Sequence, residues 1–257
     1  LDVLRLPSAP QYSTRSSAER LRLDRNIVLE GISFSYPQAS SPALDNVNLV
    51  IPKGARIGFV GKTGSGKSTL IDLVLGLLTP SKGRILIDGV ELTDANRSAW
   101  QAGIAHVPQA IYLADATVAE NIAFGVPPSN IDHDRVIAAA RRAELDDVIT
   151  LLPSGYNSIV GERGIRLSGG QRQRIGIARA LYKQASVLVF DEATSALDTE
   201  TEAAVMRSID GLTRDLTILI IAHRLSTVSG CDHVVTLGTA DSPIPNMHYR
   251  PTGTLGA

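Results

Sequence analysis

Two stretches of this 257-residue chain are built from residue types that hold phosphate. GKTGSGKST (61–69) carries Gly61, Gly66, Lys67 and Ser68 at the spacing G-x-x-x-x-G-K-[ST]. Its glycines allow backbone N–H groups to turn inward around phosphates, Lys67 brings a point charge to the β and γ phosphates, and the Ser68 hydroxyl is a ligand for Mg²⁺. The flanks agree, with the apolar strand RIGFVG before the loop and the helix KSTLIDLVLGLL (67–78) after it. A hundred residues later LSGGQRQRIG (167–176) sets two glycines at the head of another helix-forming run. A third group follows the apolar strand VLVF. Asp191 at its end is suited to hold Mg²⁺ through water, and Glu192 to act as general base on the attacking water. His223, just past LTILIIA, is in reach of a γ-phosphate, although a lone histidine at a strand end is more often structural. The chain thus has two phosphate grips and one set of hydrolytic parts.

The elements needed to position these groups are legible in outline. Alternation in residues 26–36 predicts a strand, with ALDNVNLVIP (43–52) as its hairpin partner. GRILIDG (83–89), GIAHVPQ (103–109), SVLVFDE (186–192) and LTILIIAHR (216–224) read as further short strands. Between 110 and 167 the pattern is mainly helical, including one helix over 132–152. Continuous apolar strands alternating with helices predict a parallel sheet covered on both faces. Residues 1–26 read as a linker and 239–257 as a flexible tail.

Composition narrows the function classes. Apolar residues make up 44% of the chain and the formal net charge is −1, which provides no basic footprint for nucleic acid. A single cysteine, Cys231, excludes an internal disulfide. No apolar run approaches the length of a membrane span. A chain that begins at Leu1 is expected to be a piece of something longer.

GKTGSGKST, LSGGQ, VLVFDE, SALD (195–198) and AHR (222–224), in this order, resemble the nucleotide-binding domain of ABC transporters over roughly residues 27–238. The resemblance implies a fold class: α/β, a P-loop NTPase (RecA-like) parallel sheet core with an antiparallel β subdomain and an inserted α-helical subdomain at about 110–180. It implies ATP and Mg²⁺ as ligands, with Tyr36 stacked on adenine and Gly61, Lys62, Thr63, Gly64, Ser65, Gly66, Lys67, Ser68 and Thr69 around the phosphates. Ser68, Gln109 and Asp191 would serve the metal. Glu192, His223, Lys67 and Gln109 would serve catalysis, with His223 as switch histidine and Gln109 as the Q-loop sensor of Mg²⁺ and γ-phosphate. Leu167, Ser168, Gly169, Gly170 and Gln171 match the signature, and Ser195, Ala196, Leu197 and Asp198 the D-loop.

In this family the signature grips nucleotide held by a second copy of the domain, which would explain the surplus phosphate grip. Each site would join Lys67 of one subunit to Ser168 of the other, in a homodimer. VGERG (160–164), DATVAENIAFG (115–125) and HRLSTV (223–228) resemble the exporter branch, in which Gln109 and the 160–164 loop face transmembrane domains. The closest flavour is that of flippases for lipid-linked oligosaccharides or polysaccharides. The implied location is the cytoplasmic face of a membrane, the bacterial inner membrane, with no nucleic-acid partner. The competing class is a soluble ABC ATPase acting on nucleic acid or ribosomes, disfavoured by the single cassette and the absence of heptads. The chain departs from the exporter pattern after its last strand, where TLGTADSPIPNMHYR replaces the usual G-[RK]-[IV]-x-E-x-G segment, so altered packing is expected there.

Overall fold

The computed structural model describes residues 21–162, 165, 167–191, 202, 205–207, 209, 211–212, 214–222, 225–238 and 250–251. Two sheets organise them. The first is antiparallel: β1 (Asn26–Phe34) lies between β2 (Leu44–Pro52) and β4 (Lys82–Ile87), with the short β5 (Val90–Glu91) beyond β4. The second contains β3 (Arg56–Val60), β6 (Ile104–Val107), β9 (Val187–Asp191), β10 (Thr217–Ala222), β11 (His233–Thr236) and β12 (Arg250–Pro251), in the order β12-β11-β3-β10-β9-β6. Its pairings are parallel except for β12, which runs antiparallel to β11. The expected parallel core with an antiparallel partner sheet is therefore present.

The apolar strands are buried on both faces, and their period-two alternation feeds two separate cores. Val187 and Val189 of β9 join Leu219 and Ile221 of β10 against the antiparallel sheet and α1 (Lys67–Val74). Leu188 and Phe190 join Ile218 and Ile220 on the opposite face. That second core is completed by helices α3 (Val118–Ile122), α4 (His133–Arg142), α5 (Asp146–Thr150) and α6 (Gly169–Lys183). The short α2 (Arg97–Ala102) buries Trp100, whose indole N–H donates to Val74 O at 2.8 Å. A two-stranded ribbon, β7 (Ala116–Thr117) with β8 (Ile159–Val160), ties the start of α3 to the loop before α6.

Two helices are shorter than their periodicity suggests, for the same reason. The helix expected over 67–78 ends at Val74, where Gly76 takes φ 67° and the Leu77 amide bonds the Asp72 carbonyl at 2.8 Å. This is the six-to-one bond of a Schellman cap. The helix expected over 132–152 is two helices, α4 and α5. Glu144 adopts φ 54° and the Leu145 amide bonds Ala140 O at 3.0 Å, so the side chain of Leu145 turns into the core.

Both expected boundaries of the folded domain shift. Leu23, inside the expected linker, is 1% exposed in the core of the antiparallel sheet. The segment after it is held by Asp88 in the β4–β5 turn, whose carboxylate accepts from the amides of Asp24 (2.7 Å), Arg25 (2.7 Å) and Asn26 (2.8 Å). Arg25 Nη2 returns a bond to Asp88 O at 2.6 Å. Burial alone would raise the Asp88 pKa, but these three amides and the Arg25 charge outweigh it and hold it below its ordinary value. At the other end, Arg250 and Pro251 pair with Val234 and His233, so part of the expected tail belongs to the sheet. On the far edge of that sheet, Lys183 Nζ from α6 donates to the carbonyls of Gln101 and Ile104.

Candidate nucleotide site

The strand register gathers the chemistry at one edge. Val60 of β3 is level with Ala222 of β10, Ile221 with Asp191, and Phe190 with Val107 of β6. Gly61, Asp191 and Gln109 therefore emerge together at the carboxyl ends of neighbouring strands, where open α/β sheets bind ligands. Glu192 follows Asp191 and His223 follows Ala222, but both, with Ser195–Asp198, lie outside the described residues.

The loop between β3 and α1 needs glycine at two positions, 61 and 66. Gly66 sits at φ 90°, and a Cβ there would come within 2.7 Å of Ala43 O and 2.8 Å of a Leu44 methyl. At Gly61 a Cβ would come within 2.6 Å of Leu237 O. Lys67 is 5% exposed, and its ammonium donates to the carbonyls of Gly61 (2.9 Å) and Lys62 (3.0 Å), bracing the loop it is meant to serve. Lys62, Thr63 and Gly64 are exposed at the loop tip. The Ser65 hydroxyl is buried with no hydrogen-bond partner among the described residues. An orphaned hydroxyl inside a glycine cradle, at a helix start with unspent N–H groups, fits a chain of phosphates. Ser68 is exposed one residue into α1. Its hydroxyl, the Gln109 amide and the Asp191 carboxylate are hard-oxygen donors of the kind Mg²⁺ prefers, and were they to converge they would suit it.

Tyr36 stands two residues past β1, 45% exposed, with Phe34 edge-on beneath it at 5.0 Å. Its hydroxyl lies 3.1 Å from Thr69 Oγ1 on α1. An aromatic face is thus pinned to the helix that begins at the phosphate loop, and Thr69, expected among the phosphate residues, is what pins it.

Asp191 has neighbours that sequence reasoning missed. His106 Nε2 lies 4.0 Å from Asp191 Oδ2, and Asp72 on α1 faces the same cluster. Burial and the Asp191 charge raise the Asp72 pKa, with His106 opposing them. Only the fold brings the three together, because β6, β9 and α1 are remote in sequence.

The signature forms the head of α6. Ser168 is its N-cap: Ser168 Oγ accepts from Gln171 N at 3.2 Å, and Gln171 Oε1 accepts from Ser168 N at 2.8 Å. This capping box fixes the helix end, and the first-turn amides of Gly169 and Gly170 have no partner within the helix. Leu167 is buried behind it. Beyond Gln109, the segment through Tyr112 and Leu113 lines a cleft of about 620 Å³ with Gly161, Glu162, Leu167 and Arg172. The Q-loop side, the 160–162 part of the predicted exporter loop and the signature helix thus share one surface, from which Tyr112 projects 70% exposed. Arg163 and Gly164 of that loop lie outside the described residues.

The phosphate loop opens into α1 on one face of the parallel sheet, and the signature caps α6 on the other. α6 packs on β6, and β6 stands three strands from β3 in the sheet. At about 4.8 Å per strand, that separation is about 14 Å.

Comparison with known proteins agrees with this architecture. The ATP-dependent lipid A-core flippase of Chromohalobacter salexigens is 42% identical over 216 residues, covering 84% of this chain and 37% of the flippase. That of Chromobacterium violaceum is 45% identical over 208 residues, covering 81% and 35%. A bacterial Atm1-family ABC exporter solved with ATP bound superimposes with a TM-score of 0.74 at 37% identity, over 87% of this chain and 40% of the exporter. The chain therefore spans well under half the length of these relatives. The ABC transporter family profile matches residues 44–195, more than half of the chain, and with the α/β sheet, the glycine cradle and the capped signature helix in hand, the chain belongs to the ABC transporter family.

Proposed function

We propose that this chain is the ATP-binding and ATP-hydrolysing part of an ABC exporter, and that two copies close head-to-tail around two ATP molecules. The observation that carries the reading is that the phosphate loop opens into α1 on one face of the parallel sheet, whereas the signature caps α6 on the opposite face. With the two grips on opposite faces, Ser168 of the same chain is not the natural partner of a γ-phosphate held at Lys67. The signature's first-turn amides, at the positive end of α6, suit phosphate from elsewhere, and a second copy supplies it.

In each shared site Tyr36 stacks on adenine and the loop Gly61–Thr69 encloses the phosphates. Lys67 neutralises charge on the β and γ groups, and Ser68, Gln109 and Asp191 hold Mg²⁺. When bound, the metal would supply positive charge that offsets the charge of the phosphates. Glu192 takes a proton from water as the water oxygen attacks the γ-phosphorus. The bond to the β–γ bridging oxygen breaks, leaving ADP and phosphate. His223 contacts the γ-phosphate, and Ser168, Gly169 and Gly170 of the partner copy bind it from the other side. Leu167 and Gln171 hold that signature end in shape, and Ser195–Asp198 form the D-loop between the copies.

The cleft along Tyr112, Gly161 and Glu162 receives the transmembrane domains, reached through the segment before residue 26. This puts the chain at the cytoplasmic face of a membrane, in a bacterium the inner one. The named activity of the flippase relatives favours lipid or lipid-linked saccharide as cargo.

The test uses complementation. Lys67→Ala removes one half-site and Ser168→Arg fills the other with a bulky side chain, so each variant alone is inactive. Mixed, they assemble one intact site per dimer and recover ATPase activity, while wild-type specific activity rises with protein concentration. Concentration-independent activity from a species that light scattering finds monomeric with ATP bound would defeat the shared-site reading.

A further inference from the structure

Five residues into the signature helix, Gln173 is 3% exposed, and its Nε2 donates to the backbone carbonyl of Gln109 at 2.9 Å. Its other polar end, Oε1, is buried with no partner among the described residues. A half-satisfied buried amide costs desolvation free energy that an apolar side chain of the same length would avoid. One turn further, α6 lies flush on the same segment. A Cβ on Gly176 would come within 2.8 Å of Ile111 Cδ1 and 3.1 Å of Val107 Cγ1. The helix thus grips the chain on both sides of Gln109, by contact at Val107 and Ile111 and by one hydrogen bond between them. The same helix is clamped to α3 by Arg179, which donates to Asn121 O at 2.6 Å and Oδ1 at 2.9 Å.

We propose that Gln173 is a positioning residue for the nucleotide site, setting the height of the Gln109 backbone relative to Ser168 so that the Gln109 side chain and the signature end of α6 stay in register. The proposal rests on the reading of Gln109 as the Mg²⁺ and γ-phosphate sensor. A rigid helix of five residues between the two groups, about 7.5 Å long, turns the bond at Gln173 into a fixed offset. Without the bond the exposed Gln109 loop keeps its apolar contacts at Val107 and Ile111 but loses its hydrogen bond from Gln173.

Gln173→Met keeps side-chain length and removes the donor. In the variant, kcat falls about tenfold, equivalent to about 1.4 kcal/mol, while KM for ATP stays within about twofold of wild type. Calorimetric titration finds ADP affinity retained and the preference for Mg·ATP over ADP reduced, a change that a general loss of stability would not produce. The double variant Gln109→Ala, Gln173→Met turns over no more slowly than Gln109→Ala, because Gln173 acts only through Gln109. If Gln173→Met fails to fold, Gln173→Glu keeps the shape, turns an acceptor toward the Gln109 carbonyl and is expected to show the same pattern. Wild-type kcat in the folded variant, or losses that multiply in the double variant, would overturn the positioning role alone. Wild-type turnover in Gln109→Ala would overturn the sensor reading and the proposal with it.

Discussion

Replacing Asp88 by Asn removes one charge and one acceptor from a carboxylate that receives three consecutive backbone amides. Asn tolerates the left-handed backbone at this position (φ 52°), so the β4–β5 turn is retained and the loss falls on the anchor. The remaining amide oxygen can keep the bonds to Arg25 and Asn26, while the new NH₂ meets the Asp24 N–H, donor against donor. At a partly exposed site each charged bond contributes about 0.5–1 kcal/mol, so Asp88→Asn should cost about 1–2 kcal/mol. Asp88→Ala loses all three bonds and adds about 1 kcal/mol of left-handed strain. For a chain of this size the Asn variant should melt about 2–8 °C lower. The pH dependence has a definite sign. The folded Asp88 pKa lies below its ordinary value, so its stabilisation is complete above about pH 4–5 and is lost as pH falls through the folded pKa. Urea unfolding of wild type and Asp88→Asn should differ fully at pH 7 and converge below about pH 4. Equal midpoints at pH 7, or a gap that widens on acidification, would refute the anchor.

Glu192→Gln should bind ATP and lose at least about a hundredfold in turnover, measured by phosphate release; near-wild-type hydrolysis would transfer the general-base role to His223. Tyr36→Trp should retain nucleotide affinity and Tyr36→Ala should weaken it, with GTP competing within about tenfold because stacking reads any purine face; equal affinity in all three proteins would remove Tyr36 from the site. Tyr156 is raised to about 12 by burial and by its hydrogen bond to Asp146. In a spectrophotometric titration Tyr156 should therefore ionise late, and the stability it contributes persists below the unfolded value of about 10 and disappears as pH rises through about 12. Tyr156→Phe should delete that late step, and a variant that retains it would refute the assignment.

The phosphate loop was legible because strand, glycines and helix are contiguous, so local chemistry and local geometry coincide. The strands at Val187 and Thr217 were legible from unbroken apolar runs, the mark of burial on two faces. What stayed hidden depends on partners distant in the chain or on single backbone angles. Nothing in RRAELDD announces that Glu144 turns left-handed, since the usual glycine is absent and the burial of Leu145 supplies the reason. Leu23 sits in a polar stretch, and only the hydrophobic core under the antiparallel sheet identifies it as folded. Gln173 looks like one more polar residue after the signature until its amide is found under Gln109. The cluster of Asp72, His106 and Asp191 comes from three elements that no spacing rule connects.

The two edges of the large sheet bear on how the chain behaves in crowded solution. A parallel sheet with open rims invites strand addition from any extended polypeptide, and with it aggregation. Here one rim ends in β12, two residues long and closed by Pro251, which has no amide hydrogen to extend a ladder. The other rim, β6, has its Ile104 carbonyl taken by a lysine from α6. Both described edges of the sheet thus carry a feature that disfavours strand addition from another chain.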